Sequence, residues 1–118
     1  MIAMGPVDFE RLMLLCDDDP VEAKELLQLM LDSADGQLAE MTSALDNSEL
    51  LEIKRAAHAL RGAAANVGAR EVAALAEEIE CDVEAHPASI AARIDDVRNA
   101  IERLRVAASD LVRTISTN

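Results

Sequence analysis

His58 is followed by Arg61 and Gly62 at plus three and plus four and preceded by Lys54 and Arg55, a stretch whose residue types could do chemistry. A neutral imidazole is a nucleophile, and its ordinary pKa of about 6.5 leaves much of it neutral near pH 7. On a helix, residues three and four apart are neighbours, so a guanidinium and an ammonium would stand beside the ring. Phosphoryl transfer depends mostly on positioning and charge stabilisation, so this group fits a phosphoryl acceptor: His58 as nucleophile, Arg61 and Lys54 steadying the oxygens. Metal chemistry is poorly supported. No second histidine lies three or four residues from His58, and His86 is followed by Pro87.

The spacing around His58 predicts which way it faces. Ile53, Ala57, Leu60, Ala64 and Val67 recur at four, three, four and three, one apolar seam of a helix. At 100° per residue from Ile53, His58 falls about 140° away and faces water, with Gly62 at about 180° and Ala65 at about 120°. Singly, each residue has a plain reading: a solvated histidine, ordinary surface cations, a glycine that lets helices pack closely. Together they read differently. A glycine in an exposed helix interior costs about 1 kcal/mol against alanine, and close approach of another molecule's backbone would compensate. Lys54, Arg55 and Arg61 would also make a local positive patch in an otherwise acidic chain.

The elements that must carry this group are legible from their ends. Asp19-Pro20-Val21-Glu22 predicts an N-cap with proline at the first helical position, opening a long helix on Leu26, Leu27, Met30, Leu31, Ala34, Leu38, Met41 and Leu45. Asp46-Asn47-Ser48 breaks it. Asp8 caps a short helix through Leu15, with Phe9, Leu12, Met13 and Leu15 expected to pack as a lid on one end of a bundle. The His58 helix starts near Ser48 or Glu49 and closes at Val67-Gly68. Another runs from about Ala69 to Ala85 on Val72, Leu75, Ala76, Ile79 and Val83. The last runs from about Ala88 to Ser116 on Ile90, Ile94, Val97, Ile101, Leu104, Ala108, Leu111 and Ile115. The expected fold is all-α: an antiparallel up-down-up-down four-helix bundle with an additional short N-terminal helix, a single domain over 1–118 with its core at about 7–112.

Composition agrees. The 118 residues hold one aromatic, Phe9, with 4 Gly and 3 Pro, too few aromatics and turn signals for a β-sandwich. Twenty-three acidic residues against 11 basic, a net charge of -12, argue against nucleic acid or an anionic membrane as partner. No apolar run reaches the roughly 20 residues of a membrane span, and Met1 to Pro6 lacks the pattern of a secretion signal, so a cytoplasmic protein is expected. Cys16 and Cys81 are expected to be two buried thiols. A monomer is expected, although Val106 and Val112 could lie on an apolar face left over.

The string His58-Ala59-Leu60-Arg61-Gly62-Ala63-Ala64-Ala65-Asn66-Val67-Gly68 resembles the signature of histidine-containing phosphotransfer (HPt) domains, H-x-[LI]-[KR]-G-[AS]-[AS]-x-x-[hydrophobic]-G, at every fixed position. The likeness extends to Asp17-Asp18-Asp19-Pro20 before the long helix and covers about residues 7 to 112. It implies a phosphorelay intermediate: His58 takes a phosphoryl group from the aspartate of one response-regulator receiver domain and passes it to another, upstream of which a hybrid histidine kinase would stand. It also implies no ATP site and no bound cofactor in this chain, with Mg²⁺ held by the receiver. Arg61 would steady the phosphohistidine and Gly62 would leave room for the receiver. Arg55, Ala59, Ala65 and Leu12 or Leu15 are candidates for the docking contact. Two departures stand out. Arg61 replaces the more frequent lysine, offering a planar fork in place of a point charge. Glu80 stands where many relatives carry glutamine; a carboxylate there could orient the imidazole through its ring N–H but would repel a phosphoryl group. The alternatives are a helical docking module that binds a receiver or kinase without transfer, and the phosphoacceptor part of a chemotaxis-type kinase. The glycine-rich run and aromatic that often follow the latter's histidine are absent here.

Overall fold

The sequence folds, in a computed structural model that describes the backbone of residues 7–117 and the side chains of 7–111 and 113, into helices alone. They are α1 (Phe9–Leu15), α2 (Pro20–Asp46), α3 (Leu50–Asn66), α4 (Arg70–Asp82) and α5 (Ile90–Thr117), the last entered through a 3-10 turn at Pro87–Ser89. No strand occurs among the described residues. Met1 to Pro6 and the side chains of Val112 and Ile115 lie outside them.

The caps form where local chemistry demands. The Asp19 carboxylate accepts from the backbone N–H of Val21 at 3.0 Å and of Glu22 at 3.4 Å, with Pro20 opening α2. Asp8 caps α1 through Arg11 N–H at 3.2 Å. At the end of α3, Gly68 takes φ +80°; its N–H donates to Ala65 C=O at 3.2 Å and that of Ala69 to Ala64 C=O at 2.9 Å, the paired bonds of a Schellman stop. The Gly68 carbonyl then accepts from Asp8 N–H at 2.7 Å, tying α1 to the α3–α4 corner. A Cβ on Gly68 would sit 3.0 Å from the Asp8 carbonyl oxygen as well as in the left-handed region. Gly68→Ala is therefore expected to destabilise the fold by about 1–3 kcal/mol, read as a lowered Tm by circular dichroism; an unchanged Tm would mean the corner relaxes freely.

Packing follows the apolar stripes. α3 packs against α2 and α4, α5 packs against the same two, and α1 rests on α2. The α3 seam Ile53, Ala57, Leu60, Ala64 and Val67 is fully buried, as are Val72, Ala76, Ile79 and Val83 opposite it and Ile90, Ile94, Val97, Ile101 and Leu104 of α5. Burial of this aliphatic set is the main driving force of the fold.

Three expectations are corrected. The short α1 does not pack as a uniform lid: Leu12 is buried, whereas Phe9 and Leu15 are nearly half exposed, because a seven-residue helix turns only one narrow stripe inward. Cys16 is buried, and burial pushes its thiol pKa up, followed by the charges of Glu22, Asp19 and Asp17. Cys81, however, is exposed: it lies two residues beyond buried Ile79, about 200° round the helix. α4 also ends at Asp82 rather than near Ala85.

Candidate functional site

The outer face of α3 carries His58, and α4 supplies what fixes it. The imidazole side chain is 63% exposed, and its Nδ1 lies 2.6 Å from Oε2 of Glu80, which is only 20% exposed. Oε1 of the same carboxylate is 2.8 Å from Arg61 Nε, so one glutamate spans two residues of the neighbouring helix. Arg61 Nη2 approaches His58 Nδ1 at 3.2 Å. An ionised carboxylate only accepts, so in the neutral ring the proton sits on Nδ1 and is donated to Glu80. Nδ1 has a single in-plane site and the closer carboxylate takes it, which leaves the Arg61 contact electrostatic. The unprotonated nitrogen is then Nε2, for which no protein partner occurs among the described residues. Burial raises the pKa of the Glu80 carboxyl, but the hydrogen bond from His58 and the charges of Arg61 and His58 outweigh it and hold the group below the ordinary carboxylate value.

The expected positive patch is largely neutralised. Lys54 turns to Glu84 in the turn after α4, Nζ to Oε1 2.7 Å; Arg55 pairs with Glu52 at 2.7 Å; and Arg61 pairs with Glu80. The Glu84 hydrogen bond and charge raise the Lys54 pKa, and the same contact lowers that of Glu84. The three cations thus meet three carboxylates. Glu84 went unforeseen; it lies in the turn just past the end of α4, four residues beyond Glu80.

The remaining residues divide cleanly. Gly62 is exposed, and a Cβ built on it meets nothing within 4 Å, so no internal packing requires a glycine there. Ala59 and Ala65 share this open face. Leu15 is exposed, and so is Leu14, at 71%, which the sequence reading passed over. Leu12 is withdrawn as a docking residue, since its side chain is spent on the core at 0% exposure. No cluster of three or more His, Cys, Asp or Glu among the described residues is placed to hold a metal ion. A concavity of about 560 Å³ between α4 and α5, lined by Ala74, Leu75, Asn99 and Arg103, includes none of these residues. His58, its ring largely exposed, stands on an open surface where a second macromolecule can reach it.

Comparison with known proteins decides the family, since the Hpt domain family model matches residues 25–107. The chain belongs to the Hpt domain family. Its fold is similar to that of histidine-containing phosphotransfer protein B (HptB) from Pseudomonas aeruginosa PAO1, with a TM-score of 0.84 at 19% identity over 94% of this chain and 98% of that one. A comparison with curated proteins gave no match. As an Hpt domain the chain is a histidine phosphotransfer relay intermediate, a phosphocarrier of two-component signalling, where Hpt domains meet receiver domains and kinases. No helix among the described residues of this Hpt domain is long and apolar enough to cross a membrane.

Proposed function

We propose that His58 is the phosphoryl acceptor: Nε2 attacks the phosphoaspartate of one receiver domain and later yields the group to the aspartate of another. The observation that supports this most is the Glu80 contact at Nδ1, which leaves an exposed ring with Nε2 as its free nucleophile. Arg61 lies on the Nδ1 side and is engaged with Glu80, so its guanidinium has to swing outward to meet a phosphoryl group. Lys54 acts from its pair with Glu84, at the edge of the site. Gly62, Ala59 and Ala65 form the floor on which the receiver settles, with Leu15, Leu14 and Arg55 at its margin.

The chain carries no kinase activity of its own, binds no cofactor, and relies on Mg²⁺ held in the receiver's acidic pocket. It acts as a monomer and one domain, with a hybrid histidine kinase upstream. Within it, α2 to α5 form an antiparallel up-down-up-down bundle with α1 appended. What supports that arrangement is the cyclic order of packing, α2 to α3 to α4 to α5 and back to α2, with short connections between successive helices.

The test is transfer from receiver domains charged with radiolabelled phosphate in Mg²⁺, followed by acid and base treatment of the labelled chain. Acid-labile, base-stable label is expected, the behaviour of a phosphoramidate. Receiver binding with no label would instead make the chain a docking module.

A further inference from the structure

Attachment of a phosphoryl group at Nε2 leaves Nδ1 as the ring nitrogen that can keep or lose a proton. When the group departs, the P–Nε2 bond breaks and its electron pair returns to Nε2, while a bond forms from phosphorus to the receiver's carboxylate oxygen. With a proton on Nδ1 the ring leaves as neutral imidazole. Without it the ring must leave as imidazolate, a much stronger base and a far poorer leaving group. Whatever retains that proton governs onward transfer, and no co-reactant beyond the receiver is required.

The groups around the ring are few. From α4, Glu80 is hydrogen-bonded to Nδ1 at 2.6 Å, while Cys81 of α4 and Glu84 of the turn after it lie nearer Lys54. From α3, Arg61 stands 3.2 Å from Nδ1, and Lys54 is drawn off to Glu84. The carboxylate is thus the closest charge, and it favours a protonated ring; Arg61 opposes it from farther away. Resting on His58 as acceptor, we propose that Glu80 is a positioning residue that keeps the proton on Nδ1 of phosphorylated His58, and thereby sets the pH range over which the phosphoryl group is passed on. A glutamine at this place could accept from Nδ1–H through its oxygen or donate to a bare Nδ1 through its NH₂, so it would neither fix the tautomer of the free ring nor stabilise the cationic, phosphorylated one. The carboxylate does both.

The experiment compares the wild-type chain, Glu80→Gln and Arg61→Gln, each phosphorylated from a charged receiver domain, by ¹⁵N NMR of the His58 ring and by the pH profile of transfer to that receiver. Glu80→Gln keeps an acceptor oxygen and removes the charge. Its Nδ1 deprotonation midpoint is expected about one pH unit lower, roughly tenfold in proton affinity, the small end of the opposite-charge effect because the ring is exposed. The falling limb of the transfer profile should move with it. Arg61→Gln is expected to move the midpoint upward, a change of sign that a merely structural role would not produce. Coincident midpoints in all three proteins, with phosphate on His58, would overturn the role of Glu80 and leave the acceptor standing; phosphate absent from His58 would overturn both.

Discussion

Replacing His58 by glutamine is expected to reduce phosphoryl labelling to background while the helices stay folded. The loss follows from chemistry: the amide nitrogen of glutamine has no available lone pair with which to attack phosphorus, and nothing else on the open face of α3 is a nucleophile of comparable strength. The fold should tolerate the change, because the side chain is exposed and the glutamine amide can still donate to Glu80; a stability change within about 1 kcal/mol is expected. The second histidine, His86, precedes the 3-10 turn that leads into α5, so His86→Gln should label like the wild type. Label persisting on His58→Gln and vanishing from His86→Gln would move the acceptor to the turn between α4 and α5. A large drop in Tm for His58→Gln would contradict the exposure of the ring.

Gly62→Gln should separate helix stability from transfer. The residue lies in the interior of α3 with its would-be Cβ in open space, so a longer side chain ought to stabilise the isolated protein by up to about 1 kcal/mol. Transfer is expected to fall at least tenfold, because the new side chain projects from the face on which a receiver must bring its aspartate to His58, one turn away. Gly36 supplies the control. It is also an open, exposed helix glycine, but it lies two residues from buried Ala34 on the outer face of α2, so Gly36→Ala should stabilise similarly and leave transfer unchanged. Paired melting curves and transfer rates decide. Undiminished transfer by Gly62→Gln would remove close approach as the reason for that glycine.

Helix ends such as Asp19-Pro20 and Val67-Gly68 were readable because their chemistry is local, and the α3 seam because five positions agree on one period. The orientation of His58 followed from that seam. The two turns of α1 gave too few positions for periodicity to separate Leu12, which is buried, from Leu15, which is not. Cys81 was misjudged through the habit of its residue type; its distance from Ile79 around the helix pointed outward. The engagement of Glu80 with His58 and Arg61, and of Glu84 with Lys54, depends on how α3 and α4 align along each other. That alignment is a property of packing between helices, and neither helix's own pattern encodes it.

The pairing of Lys54, Arg55 and Arg61 with carboxylates bears on how a partner is found. Paired opposite charges a few ångströms apart cancel beyond roughly a Debye length, about 8–10 Å near physiological salt, so the site projects little attraction of its own. What reaches farther is the field of a chain with a net charge of -12. An acidic partner would approach against that field, with encounters slow in dilute buffer and faster as salt is added, the reverse of electrostatic steering. Recognition at this surface then rests on short-range fit around Gly62 and His58, where specificity resides in the lifetime of the complex more than in the rate of its formation.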